Sequence, residues 1–296
     1  MVKYVKPSFE ILAATWPVNR KFLCRNSFEL IELAGRTCYK SEDKIGTKYC
    51  AKCNIELEPI DKFMDYHYCP ECKDDNLEGT LKTMSSYEKF VRMLVKRGHL
   101  SVIEHITVMV KFISNRGFTH ELVRHRLASY SQESTRYCNY GKEKFGNEIT
   151  VIDQRDLICQ QFNCRFVKET RQYYSNDNGL PDVIVECFGN GGHEVENEKK
   201  KKAREACASW MFAMEQAEKR YMEMIESGAS PQFARGVLPI DVKTEIVMTA
   251  NLRQWGHVFK MRTDPVAHPN MHQLMIPLLE DFKRLFPGMY ENLKGY

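Results

Sequence analysis

The chain has 296 residues, 28% of them charged and 43% hydrophobic, with a formal net charge of +4. That length supports a full core in one large domain or two small ones, and so small a net charge excludes a nucleic-acid coat protein. No apolar run approaches the roughly 20 residues of a membrane span, and residues 1–10 lack the apolar region of an export signal, so a reducing, cytoplasmic setting is expected. Eleven cysteines, an odd number, then point to thiols and a metal rather than to disulfides.

Phe28, Leu30, Ile31, Leu33 and Ala34 predict a short helix that ends near Gly35. From 43 to 82 the chain turns polar and carries Cys50-x-x-Cys53 and Cys69-x-x-Cys72, separated by fifteen residues. Two such pairs predict a zinc ribbon, each gripping one edge of a tetrahedral ion from a tight knuckle, with Pro70 helping to set the second turn. His67 is an alternative ligand, but four thiolates complete the set, so the site is expected to be structural. Ile55, Leu57, Ile60, Phe63, Met64, Tyr66 and Tyr68 are too few to build a core alone, so folding of this piece should depend on the metal.

Ser85-Ser86-Tyr87-Glu88 reads as a capping box. It opens a helix through Tyr87, Phe90, Val91, Leu94 and Val95 that Gly98 ends. Val102 to Ile113 alternates like a strand, with Val102, Ile106, Val108, Val110 and Phe112 on one face and His105, Thr107, Met109 and Lys111 on the other. Phe118, Leu122, Val123 and Leu127 predict a helix that carries Arg124-His125-Arg126 near its end and then breaks into a polar loop. Within 124–136 stand Arg124, His125, Arg126, Ser129, Ser131, Ser134 and Arg136. Guanidinium forks match phosphate oxygens and carbonyls, and the serines can also bond phosphate. The stretch suits a phosphorylated, planar ligand; a solvated helix end with surface ion pairs is the alternative.

Asn139, Gly141, Gly146 and Asn147 mark a loop. Residues 164–202 read as a polar insertion with turns at 177–179 and 189–192, and Lys199 to Lys202 as a solvated face or helix start. Trp210, Ala213, Met214, Ala217, Tyr221, Met224 and Ile225 predict a long amphipathic helix closed by Gly228. Ser230-Pro231 opens a short helix, serine as cap and proline in the first turn. Between Asn251 and Arg262, Leu252, Trp255 and Phe259 fall on a core face, with Arg253 and His257 on a polar one. Met271 to Leu285 is amphipathic, with Pro277 as a kink. No glycine-rich dinucleotide fingerprint is present.

The order Arg124-His125-Arg126, Ser129, Ser134, Arg136, with Tyr137 following, resembles the signature of flavin-dependent thymidylate synthases. It departs at Ser131, where that family usually has asparagine. Gly98-His99 with Glu104-His105, then Phe233 to Pro239, then Asn251 to Arg262 are similar to its other blocks, in the family's order. The resemblance implies an α+β fold, helices packed on a mainly antiparallel sheet. Residues 1–296 would be a single synthase domain with a zinc-ribbon insertion at 43–82 and a second insertion at 164–202. It implies a homotetramer with flavin sites at subunit interfaces. The implied reaction is reductive methylation of dUMP to dTMP, with methylenetetrahydrofolate as carbon donor and NADPH-reduced FAD as hydride source.

For dUMP the resemblance implies Glu121, Arg124, Gln132, Ser134, Arg136, Arg235 and Arg262, with Arg262 catalytic. For FAD it implies His105, Thr107, Arg124, His125, Arg126, Gln132, Asn251, Arg253 and His257. Glu121 stands where the family usually has glutamine and Gln132 where it usually has glutamate, a reciprocal exchange. Neither a membrane nor nucleic acid is expected as a partner. The competing reading is a non-catalytic zinc-ribbon protein that binds nucleic acid or a partner, which leaves the arginine signature unexplained.

Overall fold

The computed structural model describes residues 2–16, 26–61, 66–73, 82–170, 181–188 and 193–293. The turns expected at 177–179 and 189–192, and the apolar Phe63 and Met64, lie outside the described residues. In chain order the elements are β1 (Lys3–Val5), β2 (Ser8–Ala14), α1 (Ser27–Tyr39), β3 (Lys48–Cys50), β4 (Glu58–Asp61), β5 (Tyr66–Tyr68), β6 (Thr83–Ser85) and α2 (Ser86–Lys96). Then come β7 (Thr107–Asn115), α3 (Arg116–Leu122), β8 (Ser129–Gln132), β9 (Thr150–Ile152), α4 (Arg155–Gln160), β10 (Cys164–Thr170) and β11 (Asp182–Cys187). The last are α5 (His193–Glu226), α6 (Pro231–Ala234), β12 (Lys243–Asn251), α7 (Leu252–Arg262) and α8 (Pro269–Leu285). The fold is α+β. A four-stranded sheet runs in the order β2-β7-β12-β8. The smaller pairs β3–β6, β4–β5 and β10–β11 are antiparallel and β1–β9 is parallel.

The chain divides into two compact units. The first comprises residues 1–10, 111–125 and 130–247. Its backbone is α5, 34 residues long, which buries Met214 and Tyr221 against Val2, Tyr140, Ile149, Val151 and Val242. The helix starts at His193, well before the apolar stripe that begins at Trp210. Its early turns are polar and held by pairs one turn apart, Glu196 with Lys200 at 2.7 Å and Glu198 with Lys202 at 2.8 Å. Lys199–Lys202 is thus a solvated helix face, as expected, and 164–202 contains the β10–β11 hairpin and the start of α5. One expectation fails here. Cys164 and Cys187 are direct partners in the hairpin and form a disulfide. Composition argued for thiols, but the register places these two sulfurs within bonding reach, and register is not visible in composition.

The second unit comprises residues 11–110, 126–129 and 248–296. Asn26 caps α1, its side-chain oxygen accepting from the amides of Phe28 (2.9 Å) and Glu29 (3.1 Å). The helix does not stop near Gly35 but continues to Tyr39 and closes on Lys40 in the left-handed region, φ 50°. Gly35 is there for close packing. A Cβ on it would lie 2.7 Å from Phe90 Cε1 and 3.0 Å from Leu94 Cδ1 of α2. Gly35→Ala gains about 1 kcal/mol of helix propensity but overpacks this contact at a cost of about 1–3 kcal/mol. A lowered melting temperature is expected, and a raised one would show that α2 yields freely.

The capping box forms as predicted, Ser85 N donating to Glu88 Oε2 at 2.8 Å. The strand expected from Val102 begins instead at Thr107, because residues Leu100–His105 form a 3-10 turn. Val102 and Ile103 are both buried, whereas successive residues of a strand with one solvated face would alternate between buried and exposed. The ends of β2 and β12 meet the start of β7: Thr15 N donates to Thr107 O and Leu252 N to Ile106 O, each at 2.9 Å. Helix α7 presents Trp255 and Phe259 to Phe282 of α8, with ring centroids 5.2 and 5.0 Å apart. The α8 helix contains Pro277, as its sequence predicts.

Candidate functional site

In the first unit, Asn115 sets the site. Its side chain accepts from Phe118 N at 2.8 Å, which caps α3, and donates to Asp241 Oδ1 at 2.7 Å. Helix α3 ends at Leu122, so Arg124, His125 and Arg126 lie in the turn beyond it. The chain then continues as strand β8, not as the predicted loop. The Tyr130 hydroxyl ends the helix, lying 2.8 Å from Leu122 O and 2.9 Å from His125 O. That takes up carbonyls a longer helix would have used. The turn leaves Arg124 and Arg126 exposed and His125 buried.

Gln132 on β8 is anchored, its amide donating to Thr119 Oγ1 (2.9 Å) and Thr244 Oγ1 (3.3 Å). Ser134 Oγ accepts from Arg136 N at 3.2 Å, and the Arg136 guanidinium donates to Gln232 Oε1 at 3.3 Å. Arg235 is exposed in the 3-10 turn after α6. Ser230 stands at the cap position of α6, but its hydroxyl makes no capping bond. Proline at the first helical position starts the helix without it.

Sequence reasoning missed Glu133. Its carboxylate accepts from the Tyr140 hydroxyl and the Lys243 ammonium, each at 3.0 Å, and its carbonyl accepts from Arg116 at 2.9 Å. These bonds pin the strand between Gln132 and Ser134. Burial, then the Glu133 charge, pushes the Tyr140 phenol well above its usual range, so it stays a donor. A cleft of about 810 Å³ lies beside this network, lined among others by Ser131, Gln132, Glu133, Tyr140 and Lys243.

In the second unit, His105 ends the 3-10 turn and Thr107 begins β7, so the two do not share a strand face as predicted. Thr107 Oγ1 is 3.0 Å from Thr15 Oγ1. Asn251 caps α7, its oxygen accepting from Gln254 N at 2.8 Å, which leaves its amide nitrogen to donate elsewhere. Arg253 and His257 are exposed on the polar side of α7, as predicted, and Arg262 is half-buried at its last residue. Arg253 pairs with Glu104 at 2.5 Å, and Tyr39 Oη lies 2.8 Å from His99 Nδ1. Glu104 and His99 were visible only as neighbours of His105. Nothing in the sequence links them to Arg253, 149 residues from Glu104, or to Tyr39.

The four cysteines converge. The sulfurs of Cys50, Cys53, Cys69 and Cys72 all lie within 4.8 Å of one another, and Cys50 and Cys72 are 3.8 Å apart. A tetrahedral ion with sulfur arms of about 2.3 Å has edges of about 3.8 Å, so the thiols fit such an ion. Both knuckles close alike. Asn54 N donates to Cys50 O (2.8 Å) and Lys73 N to Cys69 O (2.9 Å), with φ of 60° and 58° at Asn54 and Lys73. Burial raises the Cys50 thiol pKa, but the amides of Cys53 and Lys52 outweigh it and bring it down to about 7. The thiolate that a metal needs therefore forms near neutral pH. His67 is not part of this group.

These features define an α+β protein with an arginine-rich turn after α3, a polar face on α7 and four converging cysteine thiols that could hold a metal ion. The family model described as thymidylate synthase complementing protein matches residues 23–288, and the chain belongs to that family. A flavin-dependent thymidylate synthase of Pyrococcus furiosus is 30% identical over 198 residues, covering 67% of this chain and 63% of that protein. One from Corynebacterium diphtheriae is 24% identical over 276 residues, 91% of this chain and 80% of that protein. The chain spans less than two thirds of the length of two Pyrococcus relatives, 63% and 59%. A solved UMP/dUMP methylase from Streptomyces cacaoi, bound with 5-Br dUMP, shares the fold. Its TM-score is 0.58 at 16% identity, covering 98% of this chain and 95% of that one.

Proposed function

We propose that this chain is a flavin-dependent thymidylate synthase that converts dUMP to dTMP by reductive methylation. The observation that carries this reading is the turn after α3. It exposes Arg124 and Arg126, buries His125, and is followed along the chain by Ser134 and Arg136, in a chain of this family. Arg136 and Ser134 hold the nucleotide phosphate. Arg124, Gln132 and Glu121 bind the remainder of dUMP. Arg235 and Arg262 stabilise negative charge as the pyrimidine nitrogen loses its proton.

Exposed guanidinium and imidazole groups, with the spare amide of Asn251, fit the phosphates and carbonyls of FAD. Arg124, His125, Arg126, Gln132, His105, Thr107, Asn251, Arg253 and His257 would hold it. When bound, FAD reduced by NADPH supplies hydride, and methylenetetrahydrofolate supplies the carbon. We take the assembly to be a homotetramer with flavin sites at subunit interfaces, and its setting to be the cytoplasm. Among the described residues no helix is long and apolar enough to cross a membrane.

The cysteine cradle would hold zinc, in a ribbon inserted at 43–82. Antiparallel pairing of Lys48 with Ser85 supports this, because the chain leaves and returns side by side. Residues 164–202 would be a second insertion. The test is dTMP formation with and without methylenetetrahydrofolate. A yellow protein that releases FAD on denaturation and needs the folate is expected; a colourless protein that makes no dTMP would overturn the reading.

Ser134 is expected to bind substrate and form no covalent bond. A nucleophilic serine needs a base within reach, whereas the hydroxyl here accepts from a backbone amide. Ser134→Ala should weaken dUMP binding about tenfold, the loss of one hydrogen bond to a charged group, with turnover still measurable. A serine–nucleotide adduct detected by mass spectrometry would refute this.

A further inference from the structure

A groove of about 1220 Å³ lies in the second unit between the cysteine module and α2. Its charged lining is Arg36, Lys44, Lys89, Arg92, Lys96 and Arg97 against one carboxylate, Glu56. Lys89, Arg92 and Lys96 share a face of α2 by their spacing. Lys44 comes from the 3-10 turn Glu42–Lys44 and Arg36 from α1.

Two of the six cations are already engaged. Arg36 is buried, bonded to Glu32 at 2.8 Å and stacked 4.3 Å above the Phe90 ring. Lys89 donates to Asn54 O at 2.7 Å and lies 3.9 Å over the Tyr49 ring. Burial lowers the Lys89 ammonium pKa; Glu56 opposes that and Lys44 adds to it. Lys44, Arg92, Lys96 and Arg97 are exposed, and none of the ion pairs among the described residues includes them. Cations gathered this way raise the local potential and favour an anion with several charges.

We propose that this groove binds the phosphodiester backbone of single-stranded nucleic acid without regard to sequence. Tyr49 and Phe90 are each 8% exposed, and a cation covers a face of each ring, so no open platform remains for base stacking. Contact falls on phosphates, which position a strand without reading it. A groove of about 1220 Å³ accommodates a strand of a few nucleotides. A mononucleotide, with its charge at one end, would leave most of the cations unanswered. The inference goes beyond the methylation reading and does not rest on it.

The test is fluorescence anisotropy of a labelled dT12 strand with the full chain. Four phosphate contacts, at about 0.7 counterion each, give a log–log salt slope of about −2.8, or binding about 50-fold weaker at 200 than at 50 mM salt. Arg92→Glu with Lys96→Glu should weaken binding at least tenfold, and so should Lys44→Glu from a separate element. Far-UV circular dichroism, flavin content and dTMP formation should stay at parent values. Absence of binding at 50 mM salt, binding in both variants within twofold of parent, or tighter binding of inorganic tripolyphosphate than of dT12 would each overturn the proposal.

Discussion

Arg262→Ala is expected to lower dTMP formation by two to three powers of ten in a protein that remains folded and flavin-bound. Arg262 is the last residue of α7 and is half-buried. The helix itself is held by Trp255, Val258 and Phe259, all fully buried, so truncating its final side chain removes no core. A cation at a helix C-terminus contributes only about 0.3–1 kcal/mol through the dipole. A donor aimed at charge that develops in the transition state counts for far more, about 2.7–4 kcal/mol. The loss should therefore appear in kcat, with dUMP affinity changed less. Arg262→Lys keeps the charge but not the planar fork, and should fall between parent and alanine variant. Near-normal kcat in Arg262→Ala would remove Arg262 from the chemistry.

The second large effect concerns the cysteine module. About one zinc per chain is expected in the parent, and little in a variant with Cys50→Ser and Cys53→Ser. The module's buried apolar cluster consists of Cys50, Leu57 and Cys69, with Cys53, Ile55 and Cys72 packed against it. Four of those six residues are the cysteines themselves. Binding of a structural zinc by such a small piece is worth about 10–16 kcal/mol at neutral pH, far beyond what one leucine and one isoleucine contribute. The variant should lose protection from proteolysis within 48–85, with flavin content unchanged. Iron in place of zinc would make the cradle a redox centre. Flavin lost together with the metal would make the module part of the site's framework.

The two outcomes probe different kinds of sequence information. The four cysteines were legible because a knuckle is local: the ligand spacing and the turn that creates it lie within a few residues. The same holds for the Ser85–Glu88 capping box, for the two faces of α7, and for Pro231 at the start of α6. Where prediction went astray, a distant contact overrode a local signal. Gly35 carries the mark of a helix end, yet the helix runs on to Tyr39, and the glycine serves instead to make room for Phe90. The alternation before Thr107 reads as strand, yet Val102 and Ile103 turn inward together.

In the 124–136 segment the order of arginines and serines carried the family resemblance, but the shape of the segment was not foreseen. Tyr130 ends α3 two residues before Arg124, and the partner strand draws Ser129–Gln132 into the sheet: Glu133 N donates to Glu245 O at 2.8 Å. The Glu133–Tyr140–Lys243 network, the Glu104–Arg253 pair and the Cys164–Cys187 bond each join residues whose chemistry is unremarkable in isolation. The basic groove is the fullest case, since α1 and a 3-10 turn supply one cation each and α2 with its C-cap the other four, and separately they read as ordinary solvated charge. By itself the sequence determined the family, the two cysteine knuckles and most helices, because side-chain periodicity, capping and knuckle spacing act within one or two turns. Strand register, close helix approach and the gathering of charge were decided only by the tertiary structure, because each depends on which remote residues share a surface once the chain has closed.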